Sequence, residues 1–416
     1  MPTDIVHGGR RLEGVVEIDR AKNAVLPILA ATLLSPATTT LHDVPLIDDV
    51  DVLLRLMKII GARIERSGHD IMVSLPTATT FEAPYYLTSR LRASFLLSGP
   101  LLGRFGRADM AMPGGCAIGS RPVDLHLKGF EAMGARVDLT QGMIRLRSEG
   151  LRGAEIHLDY PSVGATENLL MAATLAHGTT IITGAAVEPE VVDLASFLLA
   201  MGARIEGVGS HLLAIEGVPH LGGALFAPIP DRIEAGTYLL AGAATGGDVT
   251  VRGVVPDHLA SVLAKLKESG CEIEVNGRDI RLRARERALA TDIRTHPYPG
   301  FPTDLQAPFM ALLCRGRGRS VIVETVFESR YNHVGELRRM GAHIRVDGRT
   351  AIVEGVDELE GVEVQARDLR GAAGLTLAAL AAQGESEIRG AEYLDRGYRN
   401  IEAKLASLGA DIERIA

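Results

Sequence analysis

The chain has 416 residues, 46% of them hydrophobic and 23% charged, which is typical of a globular protein with two domains. Its net charge of −8 argues against general nucleic-acid binding. No apolar stretch is long enough to span a membrane, and the start does not read as a signal peptide. The three sparse cysteines fit no metal-ligand spacing and indicate a reducing, cytoplasmic compartment.

The chain opens with a hairpin-like segment, from Ile5 to Ile18, and a sixfold repeat follows it. Each repeat carries one short phrase, a glycine and a small residue followed by alternating polar and apolar residues. The phrases begin at Gly61, Gly134, Gly202, Gly270, Gly341 and Gly409, which gives spacings of 73, 68, 68, 71 and 68 residues. Such even spacing indicates an internal structural repeat.

Each repeat predicts a buried helix, a short strand, a linker, an amphipathic helix and a β-hairpin. In the third repeat the apolar run 169–176 predicts the buried helix, and apolar residues at 194, 197, 198 and 201 predict the amphipathic one. The glycine phrase closes the amphipathic helix as a C-cap. Asn276-Gly277 and Asp347-Gly348 predict two-residue hairpin turns in later repeats.

The repeats also predict the domains. The sixth repeat ends after one strand, so we expect the segment from Ile5 to Ile18 to complete it. Three repeats would form one domain, 22–229, and three would form a discontinuous second domain, 1–21 plus 230–416. Two crossings between the domains would allow a hinged cleft.

Polar residues stand at the predicted start of each buried helix. They are Lys22-Asn23, Arg90 with Arg92, Ser162-Val163-Gly164, Asp231-Arg232, Thr303-Asp304 and Asp368-Leu369-Arg370. Ser162, Thr303 and Asp368 can be N-caps whatever the function, and for Ser162 and Asp368 capping and binding both stay open. Cations are disfavoured at this helix end unless an anion binds, so Lys22, Arg92 and Arg370 indicate anion binding.

The linker between strand and amphipathic helix is unusual in the second repeat, where it grows into a glycine-rich run from Met112 to His126. This composition predicts a mobile loop whose backbone can approach a ligand. Cys116 lies five residues from Arg121, a setting that lowers the pKa of a thiol. By contrast, we expect Cys271 and Cys314 to be buried and inert. His126 is expected to be a structural hydrogen-bonding residue.

The loop matches neither a phosphate-binding Walker motif nor a dinucleotide fingerprint, so ATP and NAD are not indicated. In the fifth repeat the same linker reads Val326-Phe327-Glu328-Ser329-Arg330, and in the sixth Asp395-Arg396-Gly397. Together these residues suit an anionic substrate and acid–base chemistry without a metal or a cofactor.

At these positions the chain resembles the UDP-N-acetylglucosamine 1-carboxyvinyltransferase branch of the enolpyruvyl transferase family, from end to end. The most specific match is the run from Pro113 to His126, Pro-Gly-Gly-Cys-Ala-Ile-Gly-Ser-Arg-Pro-Val-Asp-Leu-His. The resemblance implies an α/β fold: a two-domain inside-out α/β barrel of the EPSP synthase type. It would have six βαβαββ repeats, three per domain around buried helices.

The resemblance also implies a reaction and its residues. Phosphoenolpyruvate would donate its enolpyruvyl group to the 3-hydroxyl of UDP-N-acetylglucosamine, a step of peptidoglycan precursor synthesis. Asp304 would be the base and Cys116 the acid, with Lys22 also catalytic. The residues implied to bind phosphoenolpyruvate are Lys22, Asn23, Arg121, Arg370 and Arg396. Those implied to bind the sugar nucleotide are Asn23, Arg92, Arg121, Pro122, Val123, Asp124, Leu125, Ser162, Val163, Asp304, Val326 and Phe327.

Two departures from the family stand out. Tyr160 replaces a lysine that meets the diphosphate in some members, and Phe95-Leu96 stand where others carry a tryptophan near the sugar. Three alternatives remain at this point: a shikimate 3-phosphate enzyme, an enolpyruvyl transferase of nucleoside-antibiotic synthesis, and a catalytically silent binding paralogue. The first shares the fold but lacks the cysteine loop, and the last has no use for Cys116, Asp304 and Lys22 together.

Overall fold

The computed structural model describes residues 2–112 and 123–415. Contacts divide them into two compact units. The N-terminal unit contains residues 20–112 and 123–229, and the C-terminal unit contains residues 2–19 and 230–415. Within these ranges, no helix has both the length and the apolar character that a membrane crossing requires.

The helices carry the buried cores. In chain order they are α1 (Lys22–Ala31), α2 (Asp48–Ile60), α3 (Tyr85–Thr88), α4 (Ser98–Phe105), α5 (Asp124–Ala132), α6 (Val163–Ala173), α7 (Pro189–Ala200), α8 (Arg232–Ala244), α9 (Ala260–Glu268), α10 (Gln306–Cys314), α11 (Val334–Arg339), α12 (Leu369–Ala381) and α13 (Ile401–Ser407). Short 3₁₀ helices cover Thr32–Leu34, Arg92–Leu97, Pro256–Leu259, Thr303–Leu305 and Ala391–Arg396.

The strands are short, most of them five residues. In chain order they are β1 (Thr3–His7), β2 (Glu13–Glu17), β3 (Thr39–Leu41), β4 (Arg63–Ser67), β5 (Asp70–Ser74), β6 (Glu82–Ala83), β7 (Arg107–Ala111), β8 (Arg136–Thr140), β9 (Met143–Arg147), β10 (Glu155–His157), β11 (Thr179–Thr183), β12 (Arg204–Glu206), β13 (Leu212–Glu216), β14 (Leu225–Phe226), β15 (Asp248–Arg252), β16 (Glu272–Asn276), β17 (Asp279–Arg283), β18 (Ile293–Arg294), β19 (Arg319–Val323), β20 (His343–Asp347), β21 (Thr350–Glu354), β22 (Glu363–Gln365), β23 (Glu385–Arg389) and β24 (Asp411–Ile415).

The sheets confirm the sixfold repeat. The described strands form six four-stranded sheets, three in each unit. Their orders are β14-β3-β5-β4, β6-β7-β9-β8 and β10-β11-β13-β12 in the N-terminal unit, and β2-β15-β17-β16, β18-β19-β21-β20 and β22-β23-β1-β24 in the C-terminal unit. In every sheet the first pair is parallel and the other two pairs are antiparallel. Over the described residues the sheets stay separate, and none closes into a barrel.

The start of the chain supplies strands to two different sheets. β1 lies between β23 and β24, with Val6 opposite Ser386 and Ile412, and so completes the sixth repeat as predicted. β2 pairs instead with β15, in the sheet of the fourth repeat. The expectation of a hairpin was therefore wrong, because these two strands pair with distant segments rather than with each other.

Three helices in each unit are apolar on nearly all sides and lie in its core. Every residue of α10 and α12 is buried, and these two helices pack against each other and against α8. Gly374 permits this close approach, because a Cβ there would lie 2.9 Å from the backbone carbonyl of Ala307. In the N-terminal unit the buried helices are α1, α4 and α6. Gly99 allows α4 and α6 to approach closely, because a Cβ there would lie 2.5 Å from the backbone oxygen of Asn168.

The amphipathic helices end as predicted. The six phrase glycines all have φ between 90 and 115°, the left-handed conformation of a C-cap residue. The hairpin turns are offset by one residue from the prediction. Asn276 pairs with Asp279 and Asp347 pairs with Thr350, so Gly277 and Gly348 are the first central residues of the turns. A glycine of positive φ at that position is typical of a type II′ turn.

Candidate active site

Asp304 lies at the centre of a buried ion-pair cluster in the C-terminal unit. It belongs to the 3₁₀ turn Thr303–Leu305 that leads into α10. Arg330 Nη2 donates to Asp304 Oδ1 at 2.9 Å, and Arg370 donates to Oδ2 from Nε at 3.1 Å and from Nη2 at 2.9 Å. The Asp304 side chain is 23% exposed, against 4% and 5% for the two arginines. The carboxylate is thus the accessible member of a rigid cluster.

Arg370 is a buried cation at the start of a buried helix, where the helix dipole disfavours it. Asp368 offsets this because its carboxylate accepts hydrogen bonds from the amides of Arg370 and Gly371, at 3.1 and 3.0 Å. Burial alone lowers the pKa of Arg370, but the neighbouring Asp304 outweighs it and the pKa is raised. The guanidinium also lies over the ring of Tyr398, at 5.4 Å. The triad of Asp304, Arg330 and Arg370 holds two cations and one carboxylate, and the carboxylate of Asp231 also acts on Arg370.

Arg330 connects Asp304 to the predicted sugar-contacting residues. Its guanidinium lies over the ring of Phe327, 5.3 Å from the centroid. Val326 and Phe327 are both half-buried in the linker that follows β19. Arg396 is half-buried at the end of the 3₁₀ helix Ala391–Arg396, two residues before Tyr398. The structure therefore brings Asp304, Arg370, Val326 and Phe327 together.

Lys22 is the first residue of α1 in the N-terminal unit. Its Nζ donates to Asp49 Oδ2 at 2.9 Å, and the two side chains are only 13% and 4% exposed. Asp49 lies in the first turn of α2, where the helix dipole favours a carboxylate. Asn23 follows Lys22 in α1 and is half-buried. A cation at a buried helix start is therefore balanced by a carboxylate, as in the other unit.

His126 lies close to Phe95, Gly164 and Arg92 of the N-terminal unit. Its ring lies 5.1 Å from that of Phe95, and a Cβ on Gly164 would come within 3.3 Å of the His126 ring. Burial lowers the pKa of His126 to about 3, and the nearby Arg92 cation contributes.

Four residues that were predicted to bind the sugar nucleotide lie near His126, three of them just before it in the chain and one at the start of α6. Asp124 and Leu125 begin α5 just before it, Val123 precedes them, and Val163 is the first residue of α6. The starts of α5, α6 and the 3₁₀ helix Arg92–Leu97 therefore meet at this histidine.

Two of the three predicted N-caps are observed. Ser162 accepts a hydrogen bond from the Ala165 amide at 3.3 Å, and Asp368 caps α12, so both capping predictions are confirmed. The cap prediction for Thr303 is wrong. Thr303 is the first residue of the 3₁₀ helix and Pro302 stands at its N-cap position, while the Thr303 hydroxyl donates to Glu324 Oε2 at 2.9 Å.

The three cysteines fall into two groups. Cys116 lies outside the described residues, as do Arg121 and Pro122 of the same run. Cys271 and Cys314 are buried as predicted, and burial raises the pKa of Cys314 to about 12. Neither of these two thiols is therefore a nucleophile at neutral pH.

Sequence reasoning missed Asp49 and Glu324, and it placed Arg330 in the fifth-repeat linker without giving it a role. Asp49 could have been found from the sequence. Asp48 and Asp49 begin the next helix after the one that begins with Lys22, so they offer carboxylates to that cation. Arg330 and Glu324 stand in the same linker as Val326 and Phe327, but their partners come from other segments.

A family model, related sequences and solved structures all show that this chain is similar to enolpyruvyl (1-carboxyvinyl) transferases. The sequence model of EPSP synthase (3-phosphoshikimate 1-carboxyvinyltransferase) matches residues 6–405. UDP-N-acetylglucosamine 1-carboxyvinyltransferase 1 of Caldanaerobacter subterraneus subsp. tengcongensis is 50% identical over 410 residues, which is 99% of either chain. UDP-N-acetylglucosamine 1-carboxyvinyltransferase 2 of Carboxydothermus hydrogenoformans is 50% identical over 414 residues, also 99% of either chain.

Solved structures share the fold. The enolpyruvyl transferase NikO from Streptomyces tendae superposes with a TM-score of 0.90 at 27% identity, over 99% of this chain and 98% of that one. EPSP synthase from Acinetobacter baumannii superposes with a TM-score of 0.75 at 19% identity over the full length of both, a likeness of fold alone.

Proposed function

We infer the activity from one premise: this chain belongs to the EPSP synthase family of enolpyruvyl transferases. We propose that it is a cytoplasmic UDP-N-acetylglucosamine 1-carboxyvinyltransferase, which transfers the enolpyruvyl group of phosphoenolpyruvate to the sugar nucleotide and releases phosphate. This would be the first committed step of peptidoglycan precursor synthesis. The observation that carries the proposal is the identity of about half of all residues, along nearly the whole chain, to relatives of that name.

The proposed chemistry is addition followed by elimination. The 3-hydroxyl oxygen adds to C2 of phosphoenolpyruvate while C3 takes up a proton, giving a tetrahedral intermediate. This intermediate then loses the C3 proton and phosphate, which leaves the enol ether. The reaction needs a base at the hydroxyl, an acid at C3, and cations for the phosphate and carboxylate groups.

Asp304 is proposed as the base. Its two arginine partners hold the carboxylate in one orientation, so that it can accept the hydroxyl proton. Cys116 is proposed as the acid at C3, with a thiol that can also add to phosphoenolpyruvate.

Substrate binding is assigned from the family resemblance, residue by residue. Lys22, Asn23, Arg121, Arg370 and Arg396 are proposed to bind phosphoenolpyruvate, with Lys22 also stabilising charge in the transition state. The sugar nucleotide is proposed to contact Asn23, Arg92, Arg121, Pro122, Val123, Asp124, Leu125, Ser162, Val163, Asp304, Val326 and Phe327. The domains 22–229 and 1–21 plus 230–416 are each proposed as one half of the enolpyruvyl transferase, the first with Cys116 and the second with Asp304.

A phosphate-release assay tests the function. Purified protein should release phosphate only when phosphoenolpyruvate and UDP-N-acetylglucosamine are both present. Release with shikimate 3-phosphate instead would establish the sister activity. Release that is fastest with a nucleotide lacking the amino sugar would favour an enolpyruvyl transferase of nucleoside-antibiotic synthesis. A protein silent with every acceptor would be a binding paralogue.

A further inference from the structure

Glu324 is a fully buried carboxylate directly after β19, with 0% of its surface exposed. Its Oε1 accepts hydrogen bonds from the Thr295 hydroxyl at 2.8 Å and from the backbone amides of Val326 at 2.8 Å and Phe327 at 3.1 Å. Its Oε2 accepts from the Thr303 hydroxyl at 2.9 Å. One side chain thus joins the linker that carries Val326 and Phe327 to the turn that carries Asp304.

The sixfold repeat supplies an internal comparison for this position. The residue after the corresponding strand is Gly184, Gly253 and Gly390 in three other repeats, each with φ between 72 and 81°, and it is His42 and Met112 in the remaining two. Five repeats therefore build the same sheet without a carboxylate here. The fold does not demand Glu324.

Burying a carboxylate is costly unless hydrogen bonds replace its water. Glu324 receives four, two of them from consecutive backbone amides, which fixes the path of the chain at Val326 and Phe327. Thr295 adds a second tie to this segment, because its hydroxyl also accepts from the Thr325 amide at 2.9 Å. Only one repeat carries this buried carboxylate, and it binds the backbone of Val326 and Phe327, two residues predicted to contact the substrate. We therefore look for its role in the site of that repeat.

We propose that Glu324 is a positioning residue of the acceptor site. It holds the backbone of Val326 and Phe327 in the shape that receives the sugar nucleotide. Through the Thr303 hydroxyl it also fixes the turn of Asp304, so that the acceptor and its base keep one geometry. This inference rests on the proposed function for its substrate, but the positioning itself is a property of the free protein.

The experiment compares two variants at Glu324. Glu324→Ala removes all four hydrogen bonds and should raise KM for UDP-N-acetylglucosamine about tenfold or more while lowering kcat, with KM for phosphoenolpyruvate nearly unchanged. Glu324→Gln keeps an acceptor for Val326 and Phe327, and its amide nitrogen can donate to Thr303, so KM should stay within about threefold of wild type.

A third variant separates the two ties. Thr303→Val removes only the hydroxyl that meets Oε2, and should lower kcat about fivefold or more with little change in KM for the nucleotide. The control is Asp292→Ala, which deletes a carboxylate that accepts from the Val321 amide in the same sheet but does not meet the 325–327 segment. Its KM values should match wild type.

Amide hydrogen exchange of Val326 and Phe327 provides a readout that needs no substrate. Exchange should accelerate in Glu324→Ala and stay slow in Glu324→Gln. A folded Glu324→Ala with slow exchange and normal KM would overturn the proposal, and so would a Glu324→Gln as defective as the alanine variant. If Glu324→Ala does not fold, an unchanged kcat in Thr303→Val overturns the tie to Asp304. Accelerated exchange in a protein that releases no phosphate would retain the positioning role and refute the proposed function alone.

Discussion

His126 is held in one protonation state by a fixed amide. Asn168 Oδ1 accepts from the Gly99 amide at 2.8 Å, and its Nδ2 donates to the Phe95 carbonyl at 3.0 Å, which fixes the orientation of the side-chain amide. Nδ2 therefore also donates to His126 Nδ1 at 2.9 Å, and the ring is neutral with its proton on Nε2. A proton on Nδ1 would put two donors against each other.

This arrangement predicts a pH dependence of stability. The unfolded value is 6.5 and the folded pKa of His126 is about 3, so between these values the unfolded chain binds the extra proton. The contribution of His126 is present above pH 6.5 and is lost as the pH falls towards 3, at about 1.4 kcal/mol per pH unit of that span at most. We expect the free energy of unfolding of wild type to fall relative to His126→Gln as the pH is lowered from 7 to 4, measured by urea titration. A difference that is independent of pH would contradict this.

Removing the Asp304 carboxylate should separate binding from catalysis. Asp304→Ala should lose nearly all phosphate release because the base is gone, and should lose about 3 kcal/mol of stability because two buried guanidiniums face each other unscreened. Asp304→Asn should lose turnover equally but less stability, since its amide oxygen still accepts from an arginine. Calorimetric titration should show that both bind UDP-N-acetylglucosamine. Turnover near wild type in either variant would remove Asp304 as base.

Cys116 can be tested as an acid by changing the chemistry of the proton donor. Cys116→Asp should retain phosphate release, because a carboxylic acid can also protonate C3. It should escape inactivation by a thiol-directed epoxide such as fosfomycin, while Cys271→Ser should remain sensitive. Inactivation of Cys116→Asp at the wild-type rate would exclude this cysteine as the reactive thiol.

The close packing of α12 against α10 in the C-terminal unit depends on Gly374, which has no Cβ. Gly374→Ala in α12 would place a Cβ 2.9 Å from the Ala307 carbonyl and should cost about 1–3 kcal/mol. Gly335→Ala in α11 makes the same change where a Cβ meets nothing within 4 Å, and should add about 0.5–1 kcal/mol. Urea unfolding measures both. Equal effects of the two substitutions would show that packing against Ala307 is not the cause.

The elements differ in how far the sequence predicts them. The six helix ends were predictable because a left-handed cap favours glycine wherever it occurs, and so were the buried helices, which are apolar all round. The partners of β2 and β14 were not. Leu225–Phe226 is too short for a pattern, and its pairing with Thr40 and Leu41 depends on segments almost the whole unit apart.

The same distinction holds for the candidate site. Lys22 and Arg370 were predictable because a cation is unusual at a helix start. The roles of Arg330 and Glu324 depend on which strand ends and turns meet, so the structure was needed to find them.

At the scale of the molecule, the two units differ in how their chain is assembled. One hydrophobic cluster draws only on residues 21–221, whereas the other combines Val6, Leu12 and Val16 with residues beyond 230. We expect residues 20–229 to fold as an isolated fragment. Residues 230–416 should not, because β1 and β2 are missing from two of their sheets.

A joined fragment provides the matched control. Thr3 pairs with Ile415, so a short linker can connect residue 416 to residue 1 without disturbing either strand. The fragment 230–416 extended in this way by residues 1–19 should recover a cooperative thermal transition, followed by circular dichroism. Cooperative unfolding of 230–416 alone would show that β1 is dispensable.

The position of β1 also sets an order of events during protein synthesis. Its two neighbours, β23 and β24, follow it in the chain by more than 370 residues, so β1 cannot pair until that length has been translated. At about 5–20 residues per second the delay is on the order of tens of seconds, ample time for residues 20–229 to fold first. Nascent chains of this protein therefore leave β1 unpaired, with Val6 outside its core, until β23 and β24 have been translated, and chaperones can bind it during that interval.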